Sequence, residues 1–342
     1  MQRRASRLVL GVVGLFFTAY AANIISVPSS AETTAPKPLG KMVDLGGHRL
    51  HVNCSGSGSP VVVVENGLGD FSFDWILVQE KVAKFSRICT YDRAGYAWSD
   101  LGPKPRTFAQ LNLELHDALK KLGEKGPFVL VGHSYGGPVM INFASQYPDD
   151  TAGMVLVDSA HEGMRVGVGG KQTIRLGANA QPRDAPSPHE EMAEADRAGS
   201  KGSDPPPPAK LDRIYKHLPV REQKMQLWAQ TMPSLEDAEN SQREWSEVYF
   251  AQWLAKSNEG SLGKMPLVVL SRADGGYTED LDVPAVQMEK ERKEGQVKLF
   301  RLSTNSRQFI IRSGHNMELE APEDVSVAIR RVVDAIRTKR AL

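Results

Sequence analysis

From Lys41 onward, short apolar runs alternate with longer amphipathic stretches. The runs are 41–45, 48–54, 60–65, 87–92, 128–131, 152–158, 266–270 and 308–311. Several are unbroken Val, Leu or Ile (Pro60-Val-Val-Val-Val-Glu65, Pro266-Leu-Val-Val-Leu270) instead of alternating with polar residues. Such runs are expected of strands covered on both faces, as in a parallel sheet with helices on either side. Helices are predicted over Thr107–Leu122 and Glu323–Arg337. Pro322 precedes the second, whose acidic residues come first and basic ones last, the order that complements a helix dipole. The pattern as a whole is α/β, with right-handed strand–helix–strand crossovers.

The rhythm breaks over 160–262. This region opens Gly/Pro-rich, carries Pro205-Pro-Pro-Pro208, and turns helical from Lys210 to Lys256 with Trp228, Trp245, Tyr249, Phe250 and Trp253. It reads as a largely helical cap inserted between two core strands, with the proline run as a stiff surface linker. The first forty residues differ again. Met1-Gln-Arg-Arg-Ala-Ser-Arg7 is basic, Leu8–Ile25 is uncharged and apolar, and Ala19-Tyr20-Ala21 and Ser29-Ser30-Ala31 are small-residue exits. That is the build of an export signal, and at about 18 residues the apolar run is also near the length of a bilayer-spanning helix. The expected organisation is 1–40 signal peptide or N-terminal membrane anchor plus linker, 41–159 first part of the core, 160–262 cap, and 263–342 second part of the core. In both readings of the N-terminus the globular part is exported, periplasmic or extracellular, with residues 8–25 as a membrane tether in the second.

Composition excludes one class. With 42 basic and 41 acidic residues among 342, and no basic patch interleaved with aromatics, nothing points to nucleic acid. There are two cysteines, Cys54 at the end of one predicted strand and Cys89 at the start of another. If those strands are antiparallel neighbours, an oxidising location favours a disulfide; otherwise they are two buried thiols.

The stretch Val131-Gly-His-Ser-Tyr-Gly-Gly137 follows a predicted strand and precedes a predicted helix. A Gly-x-Ser-x-Gly pattern in that context fits a sharp turn that projects a serine hydroxyl outward, its glycines relieving the crowding. The plainer alternative is a helix-capping serine in a Gly-rich turn. A hydroxyl needs a base to become a nucleophile. Ser313-Gly-His-Asn-Met317 supplies one after the last predicted strand, making Ser134 and His315 the candidate nucleophile and base. The other histidines fit worse: His133 adjoins the serine, His48 and His51 lie on an early strand, His116 on a helix, and His161, His189 and His217 in the cap region. The acid that orients the imidazole is Asp274, which follows the Pro266–Leu270 run and lies between serine and histidine in chain order. The alternative is Asp158, at the end of Val155-Leu-Val-Asp158, and Asp280 and Asp282 are weaker candidates. An oxyanion hole needs two backbone N–H groups. Tyr135, directly after the serine, and Leu68, in Glu65-Asn-Gly-Leu-Gly-Asp70, are the candidates. No metal motif, phosphate loop or dinucleotide fingerprint competes, so neither metal nor cofactor is expected.

These residues together resemble the α/β-hydrolase superfamily from about Lys41 to the C-terminus, the cap excluded. The resemblance rests on Glu65-Asn-Gly-Leu-Gly-Asp70, Tyr91-Asp-Arg-Ala-Gly-Tyr-Ala-Trp-Ser99, Val131–Gly137, Val155-Leu-Val-Asp-Ser-Ala-His-Glu162 and Ser313–Val325. The second motif is similar to a bacterial branch near the carboxylesterases and proline iminopeptidases. The resemblance implies an eight-stranded, mostly parallel sheet flanked by helices, with the cap between strands 6 and 7. It also implies a second strand antiparallel beside the fourth, the order that would bring Cys54 and Cys89 together. Asn66 stands where many members have histidine, which leaves the loop's N–H donors but not the histidine's packing. A serine at 134, not an aspartate, argues against a dehalogenase or epoxide hydrolase. The expected activity is hydrolysis of a small-molecule carboxylic ester through an acyl-enzyme. The alternative is an aminopeptidase or amidase with the same triad, whose cap acids would be Glu190, Glu191 and Glu194.

Overall fold

The computed structural model describes residues 35–161, 163–168, 172–175, 211–239, 259–273, 275 and 283–342. Eight strands form one sheet in the order β1-β2-β4-β3-β5-β6-β9-β10. They are β1 (Lys41–Asp44), β2 (Arg49–Ser55), β3 (Val62–Glu65), β4 (Ile88–Tyr91), β5 (Phe128–His133), β6 (Thr151–Val157), β9 (Leu267–Arg272) and β10 (Ser306–Ile311). β2 runs antiparallel to both β1 and β4, and every other pairing is parallel. The expected α/β-hydrolase fold is therefore present. Cys54 and Cys89 face each other in register across β2 and β4 and are joined by a disulfide.

The unbroken valine runs have a direct reason. Val63, Leu130, Met154, Leu156, Leu267 and Val269 bury one face of the sheet against α2 (Phe108–Leu122), α3 (Gly136–Gln146) and Leu299 of α5 (Ala285–Phe300). Their neighbours Val62, Val64, Val129, Val131, Val155, Val157, Val268 and Leu270 bury the other face. There they meet Trp75, Val78 and Val82 beside and within α1 (Ile76–Val82), Met317 of the short α6 (Met317–Glu320), and Val325, Ile329, Val332 and Val333 of α7 (Pro322–Thr338). Both side-chain rows of each central strand are dry, so alternation would leave polar groups without water. The two helices expected from the sequence are α2 and α7. Thr107 caps α2 by accepting from Gln110 N–H at 3.0 Å, and Pro322, Glu323 and Asp324 open α7.

Between β6 and β9 the described segments are a hairpin of β7 (Arg165–Val168) and β8 (Gln172–Arg175), a 3₁₀ turn Arg213–His217, α4 (Val220–Ala229) and helical residues 233–239. The described residues between 213 and 239 are mostly helical, as expected from Lys210 onward, and the hairpin lies in the Gly/Pro-rich part before them. Val166, Val168 and Ile174 alternate with other residues around Gly169-Gly170, a strand–turn–strand pattern. Trp228 packs against Trp98 with ring centroids 5.2 Å apart, in a cluster with Phe71, Phe73, Tyr96 and Met225. It belongs to a buried aromatic cluster. Trp245, Tyr249, Phe250 and Trp253 lie outside the described residues, as do Glu190, Glu191, Glu194 and residues 1–34. Among the described residues no helix is long and apolar enough to cross a membrane.

Candidate active site

Ser134 stands in the turn between β5 and α3, with φ of +48°. A non-glycine residue in that region carries strain and persists only where its surroundings over-determine it. Here three backbone bonds hold it: Ser134 N–H donates to Val157 O at 3.1 Å, and Ser134 O accepts from Gly137 N–H at 3.1 Å and Ala160 N–H at 2.9 Å. The glycines on either side are required by space. A Cβ on Gly132 would lie 2.6 Å from Gly136 O, and one on Gly136 would lie 2.4 Å from Glu65 O.

Asp158 follows β6, also at positive φ (+34°), and its carboxylate meets the loop after β10. Its Oδ2 lies 2.6 Å from His315 Nδ1, leaving the other ring nitrogen of His315 for a substrate or a nucleophile. Of the candidate acids, Asp158 is the one the described structure brings to His315; Asp274, Asp280 and Asp282 fall outside the described residues. Arg272, the last residue of β9, donates Nη1 to the same Oδ2 at 2.6 Å and lies 3.0 Å from His315 Nδ1. Burial opposes ionisation of Asp158, but the hydrogen bond and charge of His315 and the charge of Arg272 hold its carboxyl below the usual range. The His315 side chain keeps 35% exposure. Crowding by protein atoms, with the neighbouring cations His133 and Arg272, still sets its pKa below the ordinary imidazole value against the pull of Asp158.

His133, one residue before the serine, faces the base loop. Its Nδ1 lies 2.9 Å from Asp70 Oδ2, and its Nε2 donates to the His315 carbonyl at 3.0 Å. Glu318 Oε2 is 3.8 Å from that Nε2. Burial disfavours the His133 cation, but the charges of Glu318 and Asp70 dominate and raise its pKa to about 10. Glu318, fully buried, is pushed up to about 7 by desolvation, with Asp70 adding to the shift and His133 opposing it. Asp70, His133 and Glu318 place ligating atoms within 4.8 Å of one another. Both His133 nitrogens are nevertheless occupied, so the trio is an ion cluster without a free imidazole lone pair for a metal. Its geometry could not be foreseen, because its members come from three segments far apart in sequence.

The glycine loop after β3 is anchored from below. Arg93, 1% exposed, donates Nη1 to Glu65 Oε1 at 2.7 Å and to Asn66 O at 2.8 Å, and Nη2 to Gly67 O at 2.5 Å. Tyr91 Oη donates to the same glutamate, and Asn66 Nδ2 donates to Tyr91 O at 2.7 Å. The guanidinium lies over the rings of Tyr96 (4.6 Å) and Tyr135 (5.4 Å). Arg93 belongs to the Tyr91–Ser99 motif, so a signal existed, but its role in the loop was not legible. Three of the other described histidines meet carboxylates elsewhere: His51 with Asp92 at 2.7 Å, His116 with Asp150 at 2.8 Å and His48 with Glu114 at 3.4 Å.

Comparison with known proteins agrees with this architecture. Residues 61–328 match the model of the Alpha/beta hydrolase family. An esterase structure from Thermogutta terrifontis is similar at TM-score 0.57 and 20% identity, covering 86% of this chain and 97% of that one. The enol-lactonase from Burkholderia xenovorans LB400 is similar at TM-score 0.60 and 17% identity, covering 86% and 100%. Among curated sequences, YbdG of Bacillus subtilis, itself uncharacterized, is 27% identical over 159 residues, 43% of this chain and 49% of that one. The matches cover between 18% and 49% of the curated relatives' own lengths.

Proposed function

Because the chain belongs to the alpha/beta hydrolase family, whose model spans residues 61–328, we propose that it is a serine hydrolase of small carboxylic esters. The observation that carries this reading is the 2.6 Å contact of Asp158 with His315 Nδ1 in a fold that also holds Ser134 at positive φ in a tight, half-buried turn. Asp158 fixes the tautomer in which Nδ1 carries the proton and Nε2 is free to accept one. Nε2 takes the Ser134 hydroxyl proton as the oxygen attacks the acyl carbonyl. The Leu68 and Tyr135 N–H groups stabilise the tetrahedral oxyanion. His315 returns the proton to the leaving alcohol, and water then cleaves the acyl-enzyme by the same route in reverse. Arg272 keeps Asp158 ionised throughout. The N-terminal pattern and the Cys54–Cys89 disulfide support an exported location, since disulfides persist in oxidising compartments.

Ser134→Ala is expected to abolish turnover of p-nitrophenyl acetate and labelling by a fluorophosphonate. Turnover retained in that variant overturns the assignment. Parallel assay of a proline naphthylamide separates esterase from aminopeptidase, and faster amide than ester cleavage would favour the latter.

A further inference from the structure

We propose that Arg93 is a positioning residue of the oxyanion hole, aiming the Leu68 N–H at the reacting carbonyl by holding the carbonyl of Gly67 on the opposite side of their shared peptide plane. The inference rests on the serine-hydrolase reading and adds a component to it. In a trans peptide the C=O and N–H bonds point in opposite directions, and Gly67–Leu68 is not among the cis bonds of the chain. Fixing one end of the plane therefore fixes the direction of the other. The Gly67 oxygen is held by Arg93 Nη2 at 2.5 Å, and it also accepts from Asp70 N–H at 3.4 Å. The preceding plane is fixed in the same way, through Asn66 O on Nη1 at 2.8 Å.

Two other amides of the loop are committed: Gly69 N–H donates to the Tyr96 hydroxyl, and Asp70 N–H to Gly67 O. Among the described residues no acceptor meets the Leu68 N–H. Gly67 has no room for a side chain: a Cβ there would lie 2.3 Å from Asp70 Oδ2 and 2.8 Å from His133 Nδ1.

An arginine suits this task where a lysine does not. The planar fork reaches two carbonyls and the Glu65 carboxylate at once, and it can lie flat between Tyr96 and Tyr135. Tyr135 carries the second proposed donor, so one buried cation braces the residues of both.

The test is Arg93→Lys, which keeps a cation beside Glu65 but cannot bridge both carbonyls. The expected result is a fall in kcat of about 10- to 100-fold with KM for p-nitrophenyl acetate changed by less than about threefold, part of the effect of deleting an oxyanion donor. Affinity for a trifluoromethyl ketone, whose serine adduct carries the oxyanion, should fall by the same factor as kcat/KM. A purely structural role would lower the melting temperature and the yield of folded enzyme while leaving kcat and this affinity per folded molecule unchanged. Folded Arg93→Lys with both quantities within about twofold of the parent overturns the proposal. The parent enzyme provides a second route should the variant not fold. In a crystal structure of phosphonylated Ser134, the Leu68 N–H should meet the phosphonyl oxygen with the Gly67 carbonyl still on Arg93; a Gly67 carbonyl turned away from Arg93 overturns it. Activity surviving in Ser134→Ala would instead defeat the underlying reading, so the two failures are distinguishable.

Discussion

Replacing Asp158 by asparagine tests the catalytic reading at its most specific point. Every described neighbour of the carboxylate is a donor: His315 Nδ1 and Arg272 Nη1 on Oδ2, Arg272 N–H at 3.4 Å on Oδ1, and Arg292 Nη1 3.7 Å from Oδ1. Asparagine offers one acceptor oxygen, so in either orientation its NH₂ confronts donors. With NH₂ toward His315, the ring must move its proton to Nε2 and can no longer act as base. With the oxygen toward His315, the tautomer survives but the imidazolium formed during reaction loses its counter-charge. At 2.6 Å and an effective dielectric constant of about 20, that charge interaction is about 6 kcal/mol before Arg272 offsets part of it. The comparable change in serine-protease triads lowers kcat about 10⁴-fold, which is about 5.5 kcal/mol. Asp158→Asn should therefore lose about three to four orders of magnitude in kcat on p-nitrophenyl acetate. It should also destabilise the fold by about 1–3 kcal/mol, since Arg272 and Arg292 are left facing an amide. The assay compares it with Asp274→Asn at equal concentrations of folded protein. A loss of less than about tenfold for Asp158→Asn, or a larger loss for Asp274→Asn, would refute the reasoning.

Two further outcomes follow from the geometry. Replacing Cys54 and Cys89 together by alanine opens a link between residues 35 apart and should lower unfolding stability by about 4 kcal/mol in the loop-entropy picture; urea denaturation with an unchanged midpoint would contradict this. The kcat/KM profile should be full at neutral pH and fall on acidification as His315 takes up a proton. Because the folded pKa of His315 lies below its ordinary value of 6.5, the acid midpoint should lie below 6.5, and a midpoint above it would show that another group controls this limb.

Much of this architecture was legible because it depends on local chemistry. Buried parallel strands demand unbroken apolar runs, so the central strands of the main sheet stood out along the chain. Pro322 and Gly132 announced their turns by what a helix start or a sharp backbone bend requires. Ser134 and His315 could be named as candidates because the turn and the loop that bear them have their own sequence signatures. The candidate acid could not be narrowed to one residue. Asp158 and Asp274 each follow a strand of the same sheet, and which one reaches the imidazole depends on how adjacent strand ends are arranged, information absent from either local pattern. Arg272 was invisible for the same reason. The hairpin β7–β8 escaped notice because its alternation is short and borders a long Gly/Pro-rich stretch that reads as irregular.

His133 gives the site a property of its own. One imidazolium joins the loop after β3, through Asp70, to the backbone of His315, and the latter contact links residues 182 positions apart. The residue adjoining Ser134 thereby clasps two segments that the sheet alone would leave independent. Loosening either requires giving up a charged, buried hydrogen bond shared with the other. The loop after β3 and the loop that bears His315 are therefore tied through a single ring, which in the proposed reaction would set the register between the place where charge develops and the place where the proton is taken.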